Sequence, residues 1–285
     1  MVDFTSFLAP AKINLFLHIT GRRADGYHTL QTVFQLLDLY DTLHIKTTKT
    51  GEIKRINEIS GVPAGQCLCA LAANALQQYT GCKLGVEYII EKRIPMGGGL
   101  GGGSSDAATM LLALNQLWQL NLKRAQLMQI GLTLGADVPV FIFGQTAWAE
   151  GIGEQLTAID LATHYADQYY VVLTPQIHVS TTQVFANSAL TRGTKPLKIA
   201  NFSRDYNSGL FKNDLEAVVC KEFSEVAATL NWLSQFGKAR MSGSGASVFI
   251  AVNSKQYADE ILAKKPSNTT GFVAQGIIKH PHYLI

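Results

Sequence analysis

The sequence lacks the features that mark membrane-spanning, exported and nucleic-acid-binding proteins. No apolar run approaches the roughly 18 residues that a membrane span needs. The first residues show neither a basic start nor an apolar signal core. The 285 residues include 24 Lys or Arg against 21 Asp or Glu, a net charge of +3, and the basic residues are scattered. We therefore expect a cytoplasmic protein with no nucleic-acid face, no membrane contact and no obligate protein partner.

Cysteine is also scarce, and its spacing argues against a disulfide framework and a structural metal site. The four cysteines are Cys67, Cys69, Cys82 and Cys220. Only one residue separates Cys67 from Cys69, which is too few for a metal-binding C-x-x-C, and no pair of histidines lies nearby. We expect four reduced thiols, as is usual in a cytosolic protein.

Glycine, by contrast, is concentrated in one short segment. Six of the seven residues from Gly97 to Gly103 are glycine, and each costs roughly 0.5–1 kcal/mol of stability relative to alanine. This cost indicates that a bare backbone is needed there. A glycine loop that leads into a helix offers backbone N–H groups and the positive end of the helix dipole to a phosphate. The alternative interpretation is a structural turn that binds nothing.

The glycine segment fits neither of the two common nucleotide-binding fingerprints. Gly97, Gly99 and Gly102 satisfy G-x-G-x-x-G, but six clustered glycines make that match nearly unavoidable. The acidic residue about 20 positions later and the following parallel strand of a dinucleotide site are both missing. No lysine follows the glycines, as it would in a Walker A loop. A dinucleotide-dependent oxidoreductase is therefore disfavoured.

Hydrophobic periodicity predicts an α+β protein with two lobes. The alternation in "AKINLFLHIT" predicts a strand that places Lys12, Asn14 and Phe16 on one face and Leu17 on the other, with Lys12 and Asn14 about 7 Å apart. "YHTLQTVFQLLDLYDTLHI" predicts a returning strand, which would complete an antiparallel hairpin. The strand and helix signals restart near residue 151. We expect an N-terminal domain over residues 1–150 and a C-terminal domain over residues 151–285.

The segments around the glycines also carry local predictions. "DAATMLLALNQLWQL" predicts a buried helix, which Ser104 or Ser105 would cap and which would place Asp106 at its second position. "ADVPVFIF" predicts a turn at Asp137 followed by a buried strand. Residues 187–213 are polar and are expected to be rich in loops.

Three motifs in this order resemble the GHMP kinase superfamily. They are P-A-K-x-N-L near the start, P-M-G-G-G-L-G-G-G-S-S in the middle and x-S-G-S-G-x-S-V-F near the end. The resemblance extends from about Ala9 to Phe272. It implies a two-lobed GHMP kinase fold, with an N-terminal ATP-binding lobe, a C-terminal substrate-side lobe and the active site in the cleft between them.

Two further segments narrow the resemblance within that superfamily. "GRRADGYHTLQTVFQLLDLYDTL" and "GLTLGADVPVF" are similar to the branch that phosphorylates an erythritol carrying a cytidine diphosphate group. That branch supplies isoprenoid precursors by the non-mevalonate pathway. The resemblance therefore implies an ATP-dependent kinase of a small molecule.

On the ATP side, the resemblance implies that the glycine loop wraps the phosphates of ATP, which would come with Mg²⁺. The sequence does not identify the ligands of the metal. The residues expected to bind ATP are Pro95, Met96, Gly97, Gly98, Gly99, Leu100, Gly101, Gly102, Gly103, Ser104, Ser105 and, beside the adenine, Lys92. The loop of the third motif comprises Ser242, Gly243, Ser244 and Gly245. The chain departs from the family at Gln66-Cys67-Leu68, where members usually carry an Asn-Leu pair, and its Asp106 stands where relatives can carry asparagine.

Lys12 and Asp137 occupy the positions of the family's catalytic pair. Asp137 would take the proton from the substrate hydroxyl, and Lys12 would keep that carboxylate ionised and stabilise the developing charge. Two opposite charges about 4 Å apart attract by roughly 4 kcal/mol at an effective dielectric constant of 20. Taken alone, Lys12 would be more typical of a half-exposed strand and Asp137 of a turn or cap.

The matching substrate residues lie in two separate segments. Tyr27 and Phe185 would sandwich the cytosine ring, and His28 would read the pyrimidine edge by hydrogen bonds. Asn14 would contact the erythritol part, with Thr181 assisting. Without the resemblance, Tyr27 and His28 would be more typical of an exposed turn with a packed aromatic.

Two other functions are left open by the resemblance. The chain could be a homoserine, mevalonate or sugar kinase of the same superfamily, although the D-G-Y-H turn and the G-A-D-V-P segment argue against this. It could also be a catalytically silent relative that senses a nucleotide, although the presence of both Lys12 and Asp137 argues against that.

Overall fold

The computed structural model describes residues 3–159, 168–205 and 209–284. It begins with two long antiparallel strands, β1 (Thr5–Arg22) and β2 (His28–Thr48), which pair along nearly their whole length. The turn between them is closed by a hydrogen bond of 3.1 Å from Tyr27 N to Asp25 Oδ1. The hairpin that the alternation predicts is confirmed.

The rest of the described chain alternates between helices and strands. In chain order the elements are β3 (Ile53–Arg55), α1 (Leu68–Thr80), β4 (Gly85–Glu91), α2 (Gly102–Leu117), α3 (Arg124–Leu134), α4 (Val138–Phe143), β5 (Ala147–Glu150), β6 (Gln155–Ala158), β7 (Tyr169–Pro175), α5 (Thr181–Ala186), α6 (Ile199–Asp205), α7 (Glu216–Glu222), α8 (Ser224–Leu233), β8 (Arg240–Met241), β9 (Val248–Val252), α9 (Lys255–Ala263) and β10 (Thr269–Ile277). Helix α6 lies within the segment predicted to be loop-rich, of which residues 206–208 lie outside the described residues.

One sheet joins the two halves of the chain. Its main order is β3–β4–β2–β10–β7–β9–β8, with β1 along the opposite edge of β2 and with β5 and β6 beside the first part of β2. Strand β10 pairs with β2 through Gly276 and Ile277 and with β7 along seven residue pairs. Because β10 returns from the second half to the first, the division at residue 150 stays a prediction.

Strand β1 passes through all three apolar clusters of the described core. Its first residues, Phe7 and Ala9, lie in the cluster that packs α1 and α2 against the sheet. Its middle residues, from Ala11 to Phe16, lie in the central cluster, and Leu17 and Ile19 lie in the cluster of the second half. Lys12 and Asn14 therefore lie midway between the two halves.

The alternation along β1 fails after Asn14. The pairing with β2 runs from Asn14 opposite Phe34 to Leu17 opposite Thr32, so β1 has one extra residue at this point. A bulge of this kind reverses the face on which the following side chains lie, here as far as the next register shift after Ile19. The prediction that Phe16 shares the face of Lys12 is therefore wrong, and Leu17 takes that place.

Three local predictions beside the glycine loop are also wrong. Helix α2 begins at Gly102 after an N-cap at Gly101, so neither Ser104 nor Ser105 caps it and Asp106 is its fifth residue. The segment after Asp137 is the helix α4 and not a strand. A six-residue apolar run fits either structure, and Pro139 is tolerated because it lies in the first turn, where a missing N–H costs no intrahelical hydrogen bond.

The prediction that the helix after the glycines is buried is confirmed. Helix α2 is buried from Ser105 to Leu114, and the four cysteines are free. Among the helices of the described residues, none has the length and apolar character required to cross a bilayer.

Candidate active site

The glycine loop (Gly97–Gly103) is fixed to the protein through its carbonyl groups. The three consecutive carbonyls of residues 98–100 accept hydrogen bonds from donors outside the loop. In order, the donors are Ser247 N at 3.1 Å, Ser242 Oγ at 3.2 Å and Lys12 N at 3.0 Å. The loop therefore has a defined shape before any ligand binds.

The N–H groups of the same loop are left without protein acceptors. Within the described residues, no backbone N–H from Gly97 to Gly101 donates to another protein group. The first N–H groups of α2 are also unpaired, because helix geometry leaves them no intrahelical partner. A row of free donors at the start of a buried helix is a site that favours an anion such as phosphate.

The protein itself accounts for most of the need for glycine in this loop. A Cβ atom at several positions would overlap neighbouring atoms. At Gly98 it would lie 2.5 Å from Ser247 Oγ, at Gly99 2.5 Å from Ser242 O, and at Gly101 2.8 Å from the Phe141 ring. Gly99 and Gly101 also have φ values of 72° and 73°, which side chains disfavour. The neighbouring segments therefore leave no room for a side chain at these three positions of the loop.

Lys12 and Asp137 form a charge pair at the centre of the cleft. Lys12 Nζ lies 3.3 Å from Asp137 Oδ2 and donates to Asn14 Oδ1 at 2.7 Å. The Lys12 side chain is 3% exposed and lies over the Phe34 ring, whereas the Asp137 side chain is 38% exposed. The buried cation thus holds a carboxylate that faces the cleft. The prediction that Lys12 and Asn14 share one face is confirmed.

The loop of the third motif closes the cleft from the second half of the chain. Ser242 Oγ accepts from Asn14 N at 3.2 Å while it donates to Gly99 O, so one hydroxyl joins β1 to the glycine loop. Ser244 Oγ lies 2.7 Å from Thr181 Oγ1. Asn213, which the sequence analysis missed, donates through Nδ2 to the carbonyls of Met241 and Gly243.

Three cavities form a continuous series around the charge pair. The glycine-loop cavity, of about 290 Å³, is lined by residues 94–103 and includes Lys92 and the departing segment at Gln66-Cys67-Leu68. The central cavity, of about 320 Å³, contains Lys12 and Asp137 and shares Gly99 with the first.

The third member, the outer cavity, has a volume of about 480 Å³ and shares Thr181 and Phe185 with the central cavity. Ser104 lines the central cavity, whereas Ser105 is fully buried and lines none of the three.

The outer cavity has aromatic walls. Tyr27 is 59% exposed at its mouth, and the rings of His28 and Phe185 lie 5.2 Å apart between centroids. Burial and the charges of Arg192 and Arg22 lower the pKa of His28. The predicted residues Tyr27, His28, Phe185 and Thr181 are thus brought together from two distant segments.

A buried ion triad supports the floor of the glycine-loop cavity. Lys92 Nζ contacts Asp41 Oδ2 and donates to Asp106 Oδ2 at 2.7 Å. Asp41, another residue that the sequence analysis missed, also accepts from the backbone N–H groups of Arg93 and Ile94. Burial acts to lower the pKa of Lys92, but the two carboxylates hold it above its ordinary value. Lys92 therefore lines the cavity with its charge already engaged.

The Asp106 carboxyl is the member of this triad whose hydrogen bonding is incomplete. Its Oδ1 atom is buried without a hydrogen-bond partner in the described residues. Burial raises the pKa of Asp106 to about 7, although Lys92 acts in the opposite direction. In the folded state Asp106 thus holds a proton that the unfolded chain would release from about pH 4 upward.

We expect Asp106→Asn to flatten the dependence of stability on pH. The stability that the raised pKa contributes is present below about pH 4 and is lost as the pH rises through about 7. The variant should therefore lose less free energy of unfolding between pH 5 and pH 8 than the parent does. Urea denaturation at both pH values measures this, with Asp259→Asn on the surface as the matched control. Equal losses in all three proteins would contradict the assignment.

The described residues contain no metal site made only of protein side chains. In the part of the chain that the structure describes, no three His, Cys, Asp or Glu side chains converge closely enough to hold an ion. Each cavity has one lining aspartate: Asp137 in the central cavity, Asp106 in the glycine-loop cavity and Asp25 in the outer cavity.

The chain matches two family models, one in each half. The model described as GHMP kinases N terminal domain matches residues 67–145, and the model described as GHMP kinases C terminal matches residues 194–267. The first range includes the glycine loop and Asp137, and the second includes the loop of the third motif.

Curated relatives and a solved structure extend this similarity over nearly the whole chain. The 4-diphosphocytidyl-2-C-methyl-D-erythritol kinase of Thiobacillus denitrificans is 52% identical over 278 residues, covering 98% of this chain and 97% of that protein. The kinase of the same name from Burkholderia orbicola is 50% identical over 280 residues, covering 96% and 94%. A crystal structure of 4-(cytidine 5'-diphospho)-2C-methyl-D-erythritol kinase has a TM-score of 0.81 at 30% identity, covering 95% of this chain and 99% of that one.

Proposed function

We infer the activity from the premise that this chain belongs to the GHMP kinases, and within them to the 4-diphosphocytidyl-2-C-methyl-D-erythritol kinases. It uses ATP to phosphorylate the 2-hydroxyl of 4-diphosphocytidyl-2-C-methyl-D-erythritol, giving the 2-phosphate and ADP, in the non-mevalonate route to isoprenoid precursors. The observation that carries this conclusion is the Lys12–Asp137 pair in a cavity that borders the glycine loop on one side and an aromatic-walled cavity on the other.

The glycine-loop cavity is the place for ATP in this proposal. The triphosphate would lie along the free N–H groups that begin at Gly97 and continue into the first turn of α2. The adenine would occupy the apolar part of the same cavity, near Leu68 and Ile90. Lys92 would contribute through its position rather than as a free charge, because Asp41 and Asp106 already engage its ammonium group.

Asp137 is the proposed proton acceptor of the reaction. The oxygen of the substrate hydroxyl attacks the γ-phosphorus, the bond from that phosphorus to the bridging oxygen of ADP breaks, and the hydroxyl proton passes to an Asp137 carboxylate oxygen. Because phosphoryl transfer has a loose transition state, positioning and charge stabilisation contribute most of the catalysis. Lys12 would serve both purposes, because its buried ammonium holds Asp137 and would lie beside the oxygens that gain and lose the phosphoryl group.

Magnesium is proposed to enter with ATP. Mg²⁺ in kinases is usually held by substrate phosphates, one or two protein oxygens and several waters. Ser104 and Asp137, which both line the central cavity, are protein oxygens of the kind that could complete such a shell. The metal would neutralise charge on the phosphates.

The outer cavity is the proposed site of the cytosine base. Tyr27 and Phe185 would stack on its two faces, and stacking of a base on an aromatic ring contributes about 1–3 kcal/mol. Asn14 already uses its Oδ1 with Lys12 and one Nδ2–H with Thr32. The second Nδ2–H and the second lone pair of Oδ1 remain for the erythritol part, which would lie between the base and the charge pair.

The activity is tested by ADP release from Mg-ATP with a panel of acceptors. We expect turnover with 4-diphosphocytidyl-2-C-methyl-D-erythritol and none with homoserine, mevalonate or galactose, and we expect Asp137→Ala to abolish it. Turnover with a different acceptor alone would contradict the assignment of the outer cavity. ATP binding without turnover on any acceptor would favour a silent nucleotide-binding relative.

We expect Ser242→Ala to lower kcat by about 10- to 100-fold while the Kd for ADP changes less than about threefold. The hydroxyl joins Asn14 N to Gly99 O, and a displacement of about 1 Å between reacting groups can reduce the rate about 100-fold. Each half of the site keeps its own ligand contacts. Steady-state kinetics and calorimetry measure the two effects separately.

Thr229→Val is the matched control for Ser242→Ala, because it also removes a buried hydroxyl. Thr229 Oγ1 bonds to Glu225 O within α8, away from the cleft. We expect this variant to lower the melting temperature slightly and to keep kcat. A Ser242→Ala protein that lost only stability, with parental kcat, would show that the hydroxyl has no positioning role.

A further inference from the structure

One arginine, Arg192, contacts both elements that form the outer cavity. Its Nε donates to His28 Nε2 at 3.0 Å, at the start of β2. Its Nη2 donates to the carbonyls of Phe185 at 3.1 Å and Asn187 at 2.7 Å, and its Nη1 donates to Leu190 O at 3.2 Å. The guanidinium group therefore fixes the His28 ring against the end of α5.

The bond from Arg192 determines which ring nitrogen of His28 carries the proton. A guanidinium group has only donors, so the nitrogen that it contacts must act as an acceptor. His28 Nε2 therefore presents its lone pair, and the proton of the neutral ring resides on Nδ1. In the described residues Nδ1 has no hydrogen-bond partner, and His28 lines the outer cavity.

The charges around His28 favour the same neutral form. Arg22 and Arg192 both face the ring, and their charges add to burial in lowering the pKa of His28. The nearest carboxylate on the hairpin turn, Asp25, is paired with Arg23 at 2.7 Å. An imidazolium would place N–H against N–H at Nε2 and a third positive charge beside two others.

We propose that Arg192 determines the pyrimidine specificity of the kinase by holding His28 as the tautomer that donates from Nδ1. This inference rests on the proposed function, because it takes the base to lie in the outer cavity. Cytosine has an acceptor at N3, which an N–H group on His28 can bind. Uracil has a donor at N3, which would meet the same N–H group unfavourably. Discrimination of this kind arises because a buried polar group is left unpaired by the wrong base.

The tautomer is tested without substrate by long-range ¹H–¹⁵N NMR of the histidine side chains. The His28 signal is assigned by its loss in His28→Gln. We expect the parent protein to show the Nδ1–H form, with Nε2 unprotonated at pH 7. In Arg192→Met the acceptor constraint is gone, so the ring should shift toward the Nε2–H form and titrate at a higher pH. An Nε2–H ring in the parent, or an unchanged spectrum in Arg192→Met, would overturn the proposal.

The consequence for specificity is tested with the cytidine substrate and its uridine counterpart. We expect Arg192→Met to reduce the ratio of kcat/KM for the two substrates at least tenfold, with kcat for the cytidine substrate changed less than about threefold. Arg93→Met removes an exposed arginine that lines none of the three cavities, and it should keep the parental ratio. Unchanged discrimination in Arg192→Met, with the tautomer shifted, would overturn the role in specificity and leave the activity itself intact.

Arg192→Met could also change specificity by rearranging residues 185–190, whose carbonyls Arg192 binds. Two variants of His28 that leave Arg192 in place separate this effect from the role of the tautomer. His28→Asn keeps all the arginine bonds to those carbonyls and places an amide N–H near the position of Nδ1. It should therefore retain more of the preference for cytidine than His28→Gln, whose amide lies nearer the position of Nε2. The reverse order of the two variants would contradict donation from Nδ1.

Discussion

Asp137→Asn is expected to lower kcat by about 10³-fold while the Kd for ADP stays within about threefold of the parental value. Removing a general base typically reduces the rate by 10²- to 10⁴-fold. The amide has the size of the carboxylate and can still accept from Lys12, but it cannot take the proton of the substrate hydroxyl. The glycine loop, which is the proposed phosphate site, lies across the cleft and is unchanged by this substitution. Steady-state ADP release and calorimetric titration with ADP measure the two quantities.

Asp259→Asn provides the control for this change of charge. Asp259 is an exposed carboxylate that pairs with Lys255 at 2.8 Å on α9, so its conversion to an amide should leave kcat unaltered. A kcat for Asp137→Asn within tenfold of the parent would exclude Asp137 as an essential base. The charge pair would then act by positioning alone, and Lys12 would be the residue to examine.

Gly99→Ala is expected to impair both folding and turnover. The added Cβ would lie 2.5 Å from Ser242 O and 2.9 Å from Gly245 O, at a residue whose φ is 72°. The unfavourable φ costs about 1–2 kcal/mol, and overpacking typically adds 1–3 kcal/mol. A loss of about 3 kcal/mol should lower the melting temperature by roughly 6–12 °C. Turnover should fall below detection, because the loop, whose N–H groups are proposed to bind the phosphates, would move away from Ser242.

Gly103→Ala tests whether a glycine is required by the bound phosphates where the protein itself leaves room for a Cβ atom. A Cβ at Gly103 meets only Leu68 Cδ1 at 3.5 Å, and the residue lies in the first turn of α2, where alanine is favoured over glycine. We expect its melting temperature to stay at or above the parental value. If ATP binding is lost in this variant with stability intact, the phosphates themselves require glycine there. A parental melting temperature for Gly99→Ala would contradict the packing argument.

The sequence predicts the parts of the site that depend on local pattern or on motif order. Strict alternation up to Asn14 is enough to place Lys12 and Asn14 on one face, and the glycines followed by an apolar run are enough to predict a phosphate loop at the start of a buried helix. The bulge after Asn14 carries no such signal, because Leu15 and Phe16 are both apolar. The segment after Asp137 is ambiguous for a related reason, since six apolar residues fit a helix or a strand equally well.

The supporting residues could not be predicted because their partners lie far away in the chain. Asp41 acts on the backbone of residues 93–94, and Asn213 acts on the third-motif loop about 30 residues later. Arg192 reaches His28 across 164 positions. Each of these residues is an ordinary polar residue in its own neighbourhood, so only the folded contacts reveal its role.

The three hydrogen-bonded carbonyls of the glycine loop reduce the entropy that the loop would lose when a ligand binds. A segment so rich in glycine would lose much disorder if it became ordered only around a nucleotide, and that loss would oppose association. Here the ordering has already taken place during folding, at the bonds from Ser247, Ser242 and Lys12. We therefore expect nucleotide affinity to depend on the three bonds acting together. Ser242→Ala removes one of them and leaves those from Ser247 N and Lys12 N, so its Kd for ADP should change little.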